Sequence, residues 1–321
     1  MKYVLNVLLV VGLVFMVGCQ SRSDSRAKEG DLTGTITMSG AWAIYPMAVK
    51  WAEEFQKLHP HVRIDVAAGG AGKGMADALA QIVDIGNVSR DIYPEELAKG
   101  AWWISVTRDA VVPVINENNP VLNRLLSKGI TRETCVSIWI TDTIENWGEV
   151  IDQEITDAIH VYTRSDACGA ANTWAKLLGG NQEDLLGIGV YGDPGLAEAV
   201  RQDLMGIGYN NINYVYDAST KVQVSGIEVL PIDLNGNGSI DQDEDFYHSR
   251  DEIVEAIATG KYPSPPARDL YFVSHGMPSR KVVREFIKWV LTDGQRYVPE
   301  SGYIKLMEEV LQEGLRKLEE Q

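Results

Sequence analysis

The sequence predicts an α/β fold with largely parallel sheets. Short runs in which apolar and polar residues alternate, as in strands, are interleaved with segments whose apolar residues recur every three or four positions, as in helices. Loops of glycine and other small residues connect them, and a repeated order of strand, loop and helix is typical of α/β proteins. A length of 321 residues fits two domains better than one.

The first third of the chain shows this alternation most clearly. A strand at 35–38 precedes a helix that begins at Pro46, because proline fits the first turn of a helix. That helix carries an apolar stripe formed by Met47, Trp51, Phe55 and Leu58. A strand at 62–66 and a glycine-rich loop follow. The next apolar helical stripe is formed by Met75, Leu79 and Ile82.

The same alternation continues to the C-terminal end. The central proline in the run 111–116 predicts an irregular or crossover strand. Gly179 and Gly180 predict the end of the helix that contains Trp174. The remaining predicted elements are strands at 83–88, 159–163 and 270–273, a helix that begins at 93–96 and a helix at 282–291.

The N-terminus has the form of a secretory signal. Lys2 precedes an apolar run at 4–17, and Gly18 precedes Cys19 and a polar stretch. The run is shorter than the ~20 residues that a membrane-spanning helix needs. The Gly18–Cys19 junction resembles a bacterial lipobox, which implies a signal peptide at 1–18, a lipid on Cys19 and a tether at 19–30. We therefore expect a protein anchored in the cell envelope that faces the periplasm or the exterior.

The charge of the chain bears on its partners. The formal net charge is −16, and no run of lysine or arginine offsets it, so nucleic acid is excluded as a partner. A small anion is not excluded, because screening over roughly 8 to 10 Å removes the effect of remote carboxylates on a local site.

Four loops share a design suited to binding an anion, in which a strand leads through small residues into a helix. They are Ser39–Trp42, Gly69–Gly74, Asn87–Arg90 and Arg164–Ala170. Helix N-termini present unpaired N–H groups, and arginine matches the geometry of an oxyanion. The glycine loop is not a nucleotide-binding P-loop, because neither end fits that motif.

The order of these motifs resembles that of phosphate ABC transporter substrate-binding proteins. The segments that carry the resemblance are 39–46, 83–90, 164–170, 271–273 and 301–303, so it spans about residues 32 to 305. It implies a two-lobed, class II periplasmic-binding-protein fold. One lobe would contain 31–112 and 269–321, and the other 113–268. The crossover strands at 111–116 and 270–274 would form the hinge, with the anion held between the lobes.

By position, the resemblance implies eleven ligand-binding residues, with Arg164 as the main charged donor and Asp166 orienting it. They are Ser39, Ala41, Trp42, Ala71, Gly72, Ser89, Arg90, Arg164, Cys168, Gly169 and Ala170. The family prefers hydroxyl side chains at five of them, namely Ala41, Trp42, Ala71, Cys168 and Ala170. Sulfate, molybdate or tungstate therefore remain alternatives to phosphate. Asp91 is a candidate acceptor for the proton that distinguishes hydrogen phosphate from sulfate.

The resemblance implies a monomeric binding protein that delivers its ligand to the permease of an ABC importer; a sensor with the same fold is the alternative. Cys168 precedes a helix and lies near Arg164, two features that lower a thiol pKa and would suit a nucleophile. None of the five histidines has a catalytic or metal-binding spacing, so we expect no enzymatic activity. Cys135 and Cys168 are expected to be free thiols.

A separate motif at 233–244 fits the calcium-binding loop of EF-hands at every constrained position. Oxygen ligands at these spacings wrap Ca²⁺, and Ile240 would pin the loop to the core. No helix pair obviously flanks it, so a structural calcium clip is predicted. The predicted side-chain ligands are Asp233, Asn235, Asn237, Ser239, Asp241 and Glu244.

Overall fold

The structure is a computed structural model that describes residues 31–320, so the predicted signal peptide, tether and lipidated Cys19 lie outside the described residues. The strands are β1 (Gly34–Gly40), β2 (Val62–Ala68), β3 (Ile85–Val88), β4 (Ala101–Asn116), β5 (His160–Arg164), β6 (Ile188–Val190), β7 (Gly206–Asn211), β8 (Ile227–Val229) and β9 (Ala267–His275). No helix within 31–320 is both long and apolar enough to cross a bilayer.

The helices surround these strands and confirm the α/β class. They are α1 (Tyr45–Leu58), α2 (Ala71–Leu79), α3 (Pro94–Ala98), α4 (Leu122–Lys128), α5 (Arg132–Trp139), α6 (Trp147–Ile151), α7 (Gly169–Leu178), α8 (Gly192–Gln202), α9 (Arg250–Ala258), α10 (Lys281–Leu291), α11 (Tyr297–Glu300) and α12 (Glu308–Glu319).

The strands form one mixed sheet in the order β2-β1-β3-β9-β4-β7-β5-β6, with β8 also paired to β4. Pairing is parallel at both ends of this order, where β1 lies between β2 and β3 and β5 lies between β6 and β7. It is antiparallel in the middle, where β9 and β4 lie side by side. The loops at the carboxyl ends of β1, β2, β3 and β5 carry the predicted site, as expected for an open α/β sheet.

Three hydrophobic clusters form the core. One contains β1, β2, β3 and α1 together with β9 and α10 from the end of the chain. In the middle of the chain, alternate residues of β4 contribute to two further clusters. Val111 and Ile115 belong to a cluster with α5 and α7, whereas Val112 and Val114 belong to one with α8 and α9. Since neighbouring strand residues point to opposite faces, helices cover this part of the sheet on both sides. The boundaries of the two predicted lobes stay a prediction.

The sequence predicts an irregular or crossover strand around Pro113, and β4 is regular at this residue but changes partners along its length. Residues 101–110 pair with β9, and residues 111–115 pair with β7. Pro113 itself lies in register with Tyr209 of β7, and its carbonyl oxygen accepts the amide of Leu230. Proline lacks only the N–H, and its fixed φ is compatible with an extended strand. The irregularity lies instead between Ser105 and Thr107, where the register with β9 shifts.

Two residues of the predicted helical stripes are exposed. Leu58 is the last residue of α1 and is 55% exposed. Ile82 is 69% exposed because α2 ends at Leu79 and Gln81 has a φ of 57°. A left-handed residue cannot continue a right-handed helix, so the expectation that Ile82 lies in that helix is wrong.

Candidate ligand-binding site

The loops after β1, β2 and β3 are tied together by backbone hydrogen bonds. The amides of Gly69 and Gly70 both donate to the carbonyl oxygen of Gly40, at 2.8 and 3.0 Å. The amide of Ala41 donates to the carbonyl oxygen of Asn87 at 2.8 Å, so this predicted ligand donor already has an acceptor. These contacts bring three of the four predicted loops to one place.

The fourth loop, which we call the arginine loop (164–170), lies against the glycine loop (69–74). The amide of Gly72 donates to the carbonyl oxygen of Ala167 at 3.0 Å. A Cβ atom at Gly70 would lie 2.9 Å from that same oxygen, and Gly70 has a φ of 92°, so glycine is required there. Ala71, the first residue of α2, is fully buried beside this contact. The amide of Gly72 therefore also has a protein acceptor.

Arg164 lies at the end of β5 and is held between two carboxylates. Its Nε and Nη2 donate to both oxygens of Asp166, at 2.8 and 2.7 Å, so Asp166 orients it. Its Nη1 lies 2.9 Å from Oδ2 of Asp193, and the side chain is 1% exposed. Burial alone would lower the pKa of Arg164, but Asp193 and Asp166 outweigh burial and raise it, so the guanidinium stays charged.

The rest of the arginine loop forms the start of α7. The backbone amide of Cys168 donates to Oε1 of Gln182, and its Sγ accepts the amide of Ala171 as the helix cap. Gly169 and Ala170 occupy the first turn of a ten-residue helix, where the helix supplies no acceptor for the amides. They are the best-placed backbone donors of this loop for an anion.

The Cys168 thiol is not set up as a nucleophile. Burial raises its pKa to about 12, and this effect is larger than the lowering by the nearby Arg164. Catalysis through a thiolate is therefore disfavoured at neutral pH. Cys135 and Cys168 are both buried and form no disulfide within residues 31–320, and their redox state stays a prediction.

Ser39 and Arg90 direct their side chains to protein partners. Ser39 Oγ donates to Oδ2 of Asp77 at 2.6 Å. The guanidinium of Arg90 donates to both oxygens of Glu96, at 3.0 and 2.7 Å, and lies 4.2 Å from the centre of the Tyr93 ring. Three of its five N–H groups are thus used by Glu96 and by the Asp91 carbonyl.

Trp42 and Ser89 lie where the loops meet. The Trp42 ring packs on Gly192, where an added Cβ would lie 3.2 Å from the indole. The backbone carbonyl oxygen of Trp42 accepts a hydrogen bond from the Tyr214 hydroxyl at 2.9 Å. Ser89 is buried against Gly169, where an added Cβ would lie 2.1 Å from both oxygens of Ser89. The structure therefore gathers the predicted ligand residues of all four loops, while their contacts with a ligand stay predicted.

Several buried polar residues at this place were not predicted from the sequence. Arg268 of β9 donates from Nε to the Ser89 carbonyl oxygen at 2.9 Å. Its Nη2 contacts Oδ1 of Asn211, whose own Nδ2 donates to Asp193 at 2.6 Å. Asp109 of β4 is fully buried near Arg268. The available signal was a charged residue within an apolar strand run, as at Asp109 and Arg268.

The two buried carboxylates of the calcium-like loop accept amides of the loop itself. The carboxylate of Asp233 accepts the amides of Gly236 and Gly238, and that of Glu244 accepts the amides of Leu234 and Asn235. The side-chain amides of Asn235 and Asn237 both donate to Asp241. Among residues 31–320, no three His, Cys, Asp or Glu side chains are grouped as a metal site.

Ile240 attaches the loop to the end of α4 and is itself only half-buried, so its packing in the core stays a prediction. The amide of Ile240 donates to the Ser127 carbonyl oxygen at 3.0 Å, and its Cδ1 packs on Gly129. Asp233 and Glu244 are only 3% and 5% exposed. Calcium binding by the loop stays a prediction.

Comparisons with known proteins agree with this architecture. A family profile described as the PBP superfamily domain matches residues 25–294. The phosphate-binding protein PstS of Methanocaldococcus jannaschii is 25% identical, with 97% of this chain and 93% of that protein covered. PstS of Bacillus subtilis is 28% identical, with 71% of this chain and 76% of that protein covered.

Solved structures show the same fold. A crystal structure from Clostridium perfringens that holds bound phosphate has a TM-score of 0.69 at 22% identity and covers 85% of this chain and 100% of that chain. An ABC-type phosphate transport receptor from Vibrio cholerae has a TM-score of 0.60 at 20% identity, with 84% and 100% covered. The resemblance seen in the sequence is thus confirmed, and this chain belongs to the PBP superfamily, with the class II periplasmic-binding-protein fold.

Proposed function

We propose that the protein is an extracytoplasmic substrate-binding protein that captures inorganic phosphate, or a similar tetrahedral oxyanion, for an ABC importer. The observation that carries the proposal is the direct contact between the arginine loop and the glycine loop, through the Gly72–Ala167 hydrogen bond. This contact brings Arg164 and the N-terminus of α7 to the place where three other strand ends meet. The phosphate-binding names of the relatives support the choice of anion.

The charges at the site indicate how an anion would be held. Arg164 is flanked by Asp166 and Asp193, so these three groups carry a net negative charge rather than a positive one when ionised. Recognition would therefore depend on directed hydrogen bonds from the guanidinium and from the amides of Gly169 and Ala170. Hydrogen bonds to a charged group are worth about 1.5 to 3 kcal/mol each. Several such bonds are enough to bind an anion, even though the net charge of these three groups does not attract it.

Calorimetric titration of the purified protein with phosphate, arsenate, sulfate, molybdate and tungstate tests the proposal. We expect saturable binding of phosphate, and Arg164→Gln should weaken it about 100-fold. Arg132→Gln is the matched control, because Arg132 is a half-exposed arginine that contacts the Leu177 carbonyl oxygen. Melting curves identify variants that fail to fold. Absence of saturable binding of all five anions by the wild type would refute oxyanion capture.

Delivery to an importer is proposed because the relatives include an ABC-type phosphate transport receptor. Uptake of radiolabelled phosphate by cells with and without the gene tests it. We expect loss of the gene to reduce uptake at low external phosphate. Unchanged uptake combined with altered phosphate-dependent transcription would favour the sensor instead.

The lipid anchor is proposed for Cys19, outside the described residues. Its support is the apolar run and the Gly18–Cys19 junction in the sequence. Labelling cells with a fatty-acid analogue should mark the wild type and not Cys19→Ser. Equal labelling of the two proteins would exclude this anchor.

A bound Ca²⁺ is proposed for the loop 233–244. The donor set fits a hard cation, because it consists of carboxylate, amide and hydroxyl oxygens at the spacing of a calcium loop. The contacts of Asp241 with Asn235 and Asn237 bring three of these side chains together. When bound, Ca²⁺ would stabilise the loop and offset its negative charge.

A further inference from the structure

Trp42 is set apart from the other tryptophans of the chain by its surroundings. The sequence contains eight tryptophans. The other seven all lie in, or pack against, the hydrophobic cluster of β1, β2 and β3 or the cluster of α5 and α7. Trp42, which follows β1, belongs to none of the three clusters that the described residues form. Its ring does not build the hydrophobic core, so its place in the fold requires another explanation.

The Trp42 ring is held by aromatic and glycine neighbours. The ring centres of Tyr45 and Tyr191 each lie 6.3 Å from that of Trp42, and both rings meet it edge to face. Gly192, the first residue of α8, has a φ of 74°, and an added Cβ would lie 3.3 Å from Trp42 Nε1. Glycine is therefore required where the indole N–H packs against α8.

The indole N–H of Trp42 is buried and unpartnered. Within residues 31–320 its Nε1 has no hydrogen-bond acceptor. The same holds for Trp147, Trp174 and Trp289, but those rings lie in the hydrophobic clusters, where polar atoms are scarce. Nearly all buried polar groups in proteins are hydrogen-bonded, and an unmade bond costs free energy. Trp42 therefore lacks an acceptor in a polar region, where one can be supplied.

This unpartnered N–H lies beside the proposed anion site. Gly192, on which it packs, donates its amide to Oδ1 of Asp166 at 3.2 Å. The same carboxylate oxygen accepts Nε of Arg164 at 2.8 Å. Only two contacts, through Gly192 and Asp166, separate the indole N–H from the guanidinium.

We propose that Nε1 of Trp42 donates a hydrogen bond to an oxygen of the bound oxyanion. This assignment rests on the proposed capture of an oxyanion. An anion held by Arg164 and the first amides of α7 would supply the acceptor that the indole lacks, and an indole N–H can only donate. It would replace one of the hydroxyl donors that the family prefers at Ala41, Ala71 and Ala170, whose side chains have none.

The alternative is that Trp42 only packs against Tyr191 and Gly192. A packing role predicts that anion affinity follows the shape of the ring, whereas a donor role predicts that it follows the N–H. Benzothienylalanine at position 42 separates the two, because sulfur replaces the N–H while the shape of the ring is kept.

Nuclear magnetic resonance of protein labelled with ¹⁵N in its indole groups detects the hydrogen bond directly. Contacts with the ring protons of Tyr45 and Tyr191 identify the Trp42 signal, as does its loss in Trp42→Phe. We expect saturating phosphate to move the Trp42 N–H signal downfield and to leave that of Trp102 in place. An unmoved Trp42 signal at saturating phosphate overturns the donor role.

Calorimetric titration with phosphate and arsenate measures the contribution to affinity. We expect benzothienylalanine at position 42 to weaken the binding of both ions about tenfold, as for loss of one hydrogen bond to a charged group. Trp102→Phe is the matched control, because Trp102 is also half-buried but packs against the hydrophobic cluster of β1, β2 and β3. This control should bind both ions as tightly as the wild type does. Melting curves establish that each protein is folded.

The outcomes separate this assignment from the function on which it rests. Unchanged affinity of the folded benzothienylalanine protein, or equal weakening by Trp102→Phe, overturns the donor role of Trp42. If the benzothienylalanine protein does not fold, the indole signal of the wild type decides. No saturable binding of phosphate or arsenate by the wild type overturns oxyanion capture itself, and this assignment with it.

Discussion

The Cα of Gly169 lies so close to Ser89 that an added methyl group would be 2.1 Å from both the carbonyl and the hydroxyl oxygen of Ser89. Gly169 is the first residue of α7, in the middle of the chain, whereas Ser89 follows the end of β3, in the first third of the chain. Contacts this close leave no room for a side chain, so the fit between the two segments depends on glycine.

Gly169→Ala should therefore weaken phosphate binding at least tenfold, because the loops that hold the anion can no longer approach each other. The melting temperature of this variant without ligand should change little, because the loops can move apart and so relieve the clash. Gly195→Ala is the control, because its Cβ would meet only Val190 Cγ1 at 3.2 Å. Calorimetry and thermal melts measure both effects; equal affinity of the two variants would contradict the close fit.

Cys168 should react slowly with thiol reagents in the folded protein. Burial raises its pKa to about 12, so very little thiolate exists at pH 8. Labelling followed by peptide mass spectrometry should find Cys168 modified rapidly in urea and hardly at all in buffer. Rapid modification of the native protein would reopen the nucleophile hypothesis.

Asp109 should make stability fall as the pH rises. Its pKa is about 7 in the folded protein, against an ordinary value of 3.8, so between pH 4 and 7 the folded state binds more of this proton than the unfolded state. The free energy of unfolding then decreases with pH, by up to about 1.4 kcal/mol per unit for this group.

Urea unfolding of the ligand-free protein at pH 4.5, 5.5 and 6.5 measures this dependence. Asp109→Asn lacks the group, so the wild type should lose stability relative to this variant across that range. A constant difference between the two proteins would mean that Asp109 titrates alike in both states.

Calcium should raise the melting temperature of the wild type if the loop 233–244 binds it. The double change Asp233→Asn and Glu244→Gln removes two charges but keeps acceptors for the loop amides that both carboxylates hold. It should abolish the calcium effect and leave the melting temperature in chelator nearly unchanged. Equal shifts in wild type and variant would place any calcium elsewhere.

Local pattern was enough to predict much of the fold. The stripe of Met47, Trp51 and Phe55 forms the buried face of α1, and Gly179 ends α7 with a φ of 88°. Pro113 lies in a regularly paired part of β4, and the local sequence does not reveal its partner Tyr209, because strand pairing depends on distant residues. The prediction that Ile82 lies in α2 is wrong, because the left-handed residue Gln81 prevents the helix from continuing to it.

The site was predictable only where neighbours in sequence form it. Arg164 and Asp166 are two residues apart, and their pairing follows from that spacing. Asp193 and Arg268 reach Arg164 and Ser89 through tertiary packing, so the local sequence did not reveal their partners.

A crystal structure of the protein grown with phosphate locates the anion directly. We expect one phosphate ion within hydrogen-bond distance of Arg164 and of the first amides of α7, enclosed by the loops after β1, β2 and β3. Density for phosphate only on the outer surface, with Arg164 still bound solely to Asp166 and Asp193, would contradict it.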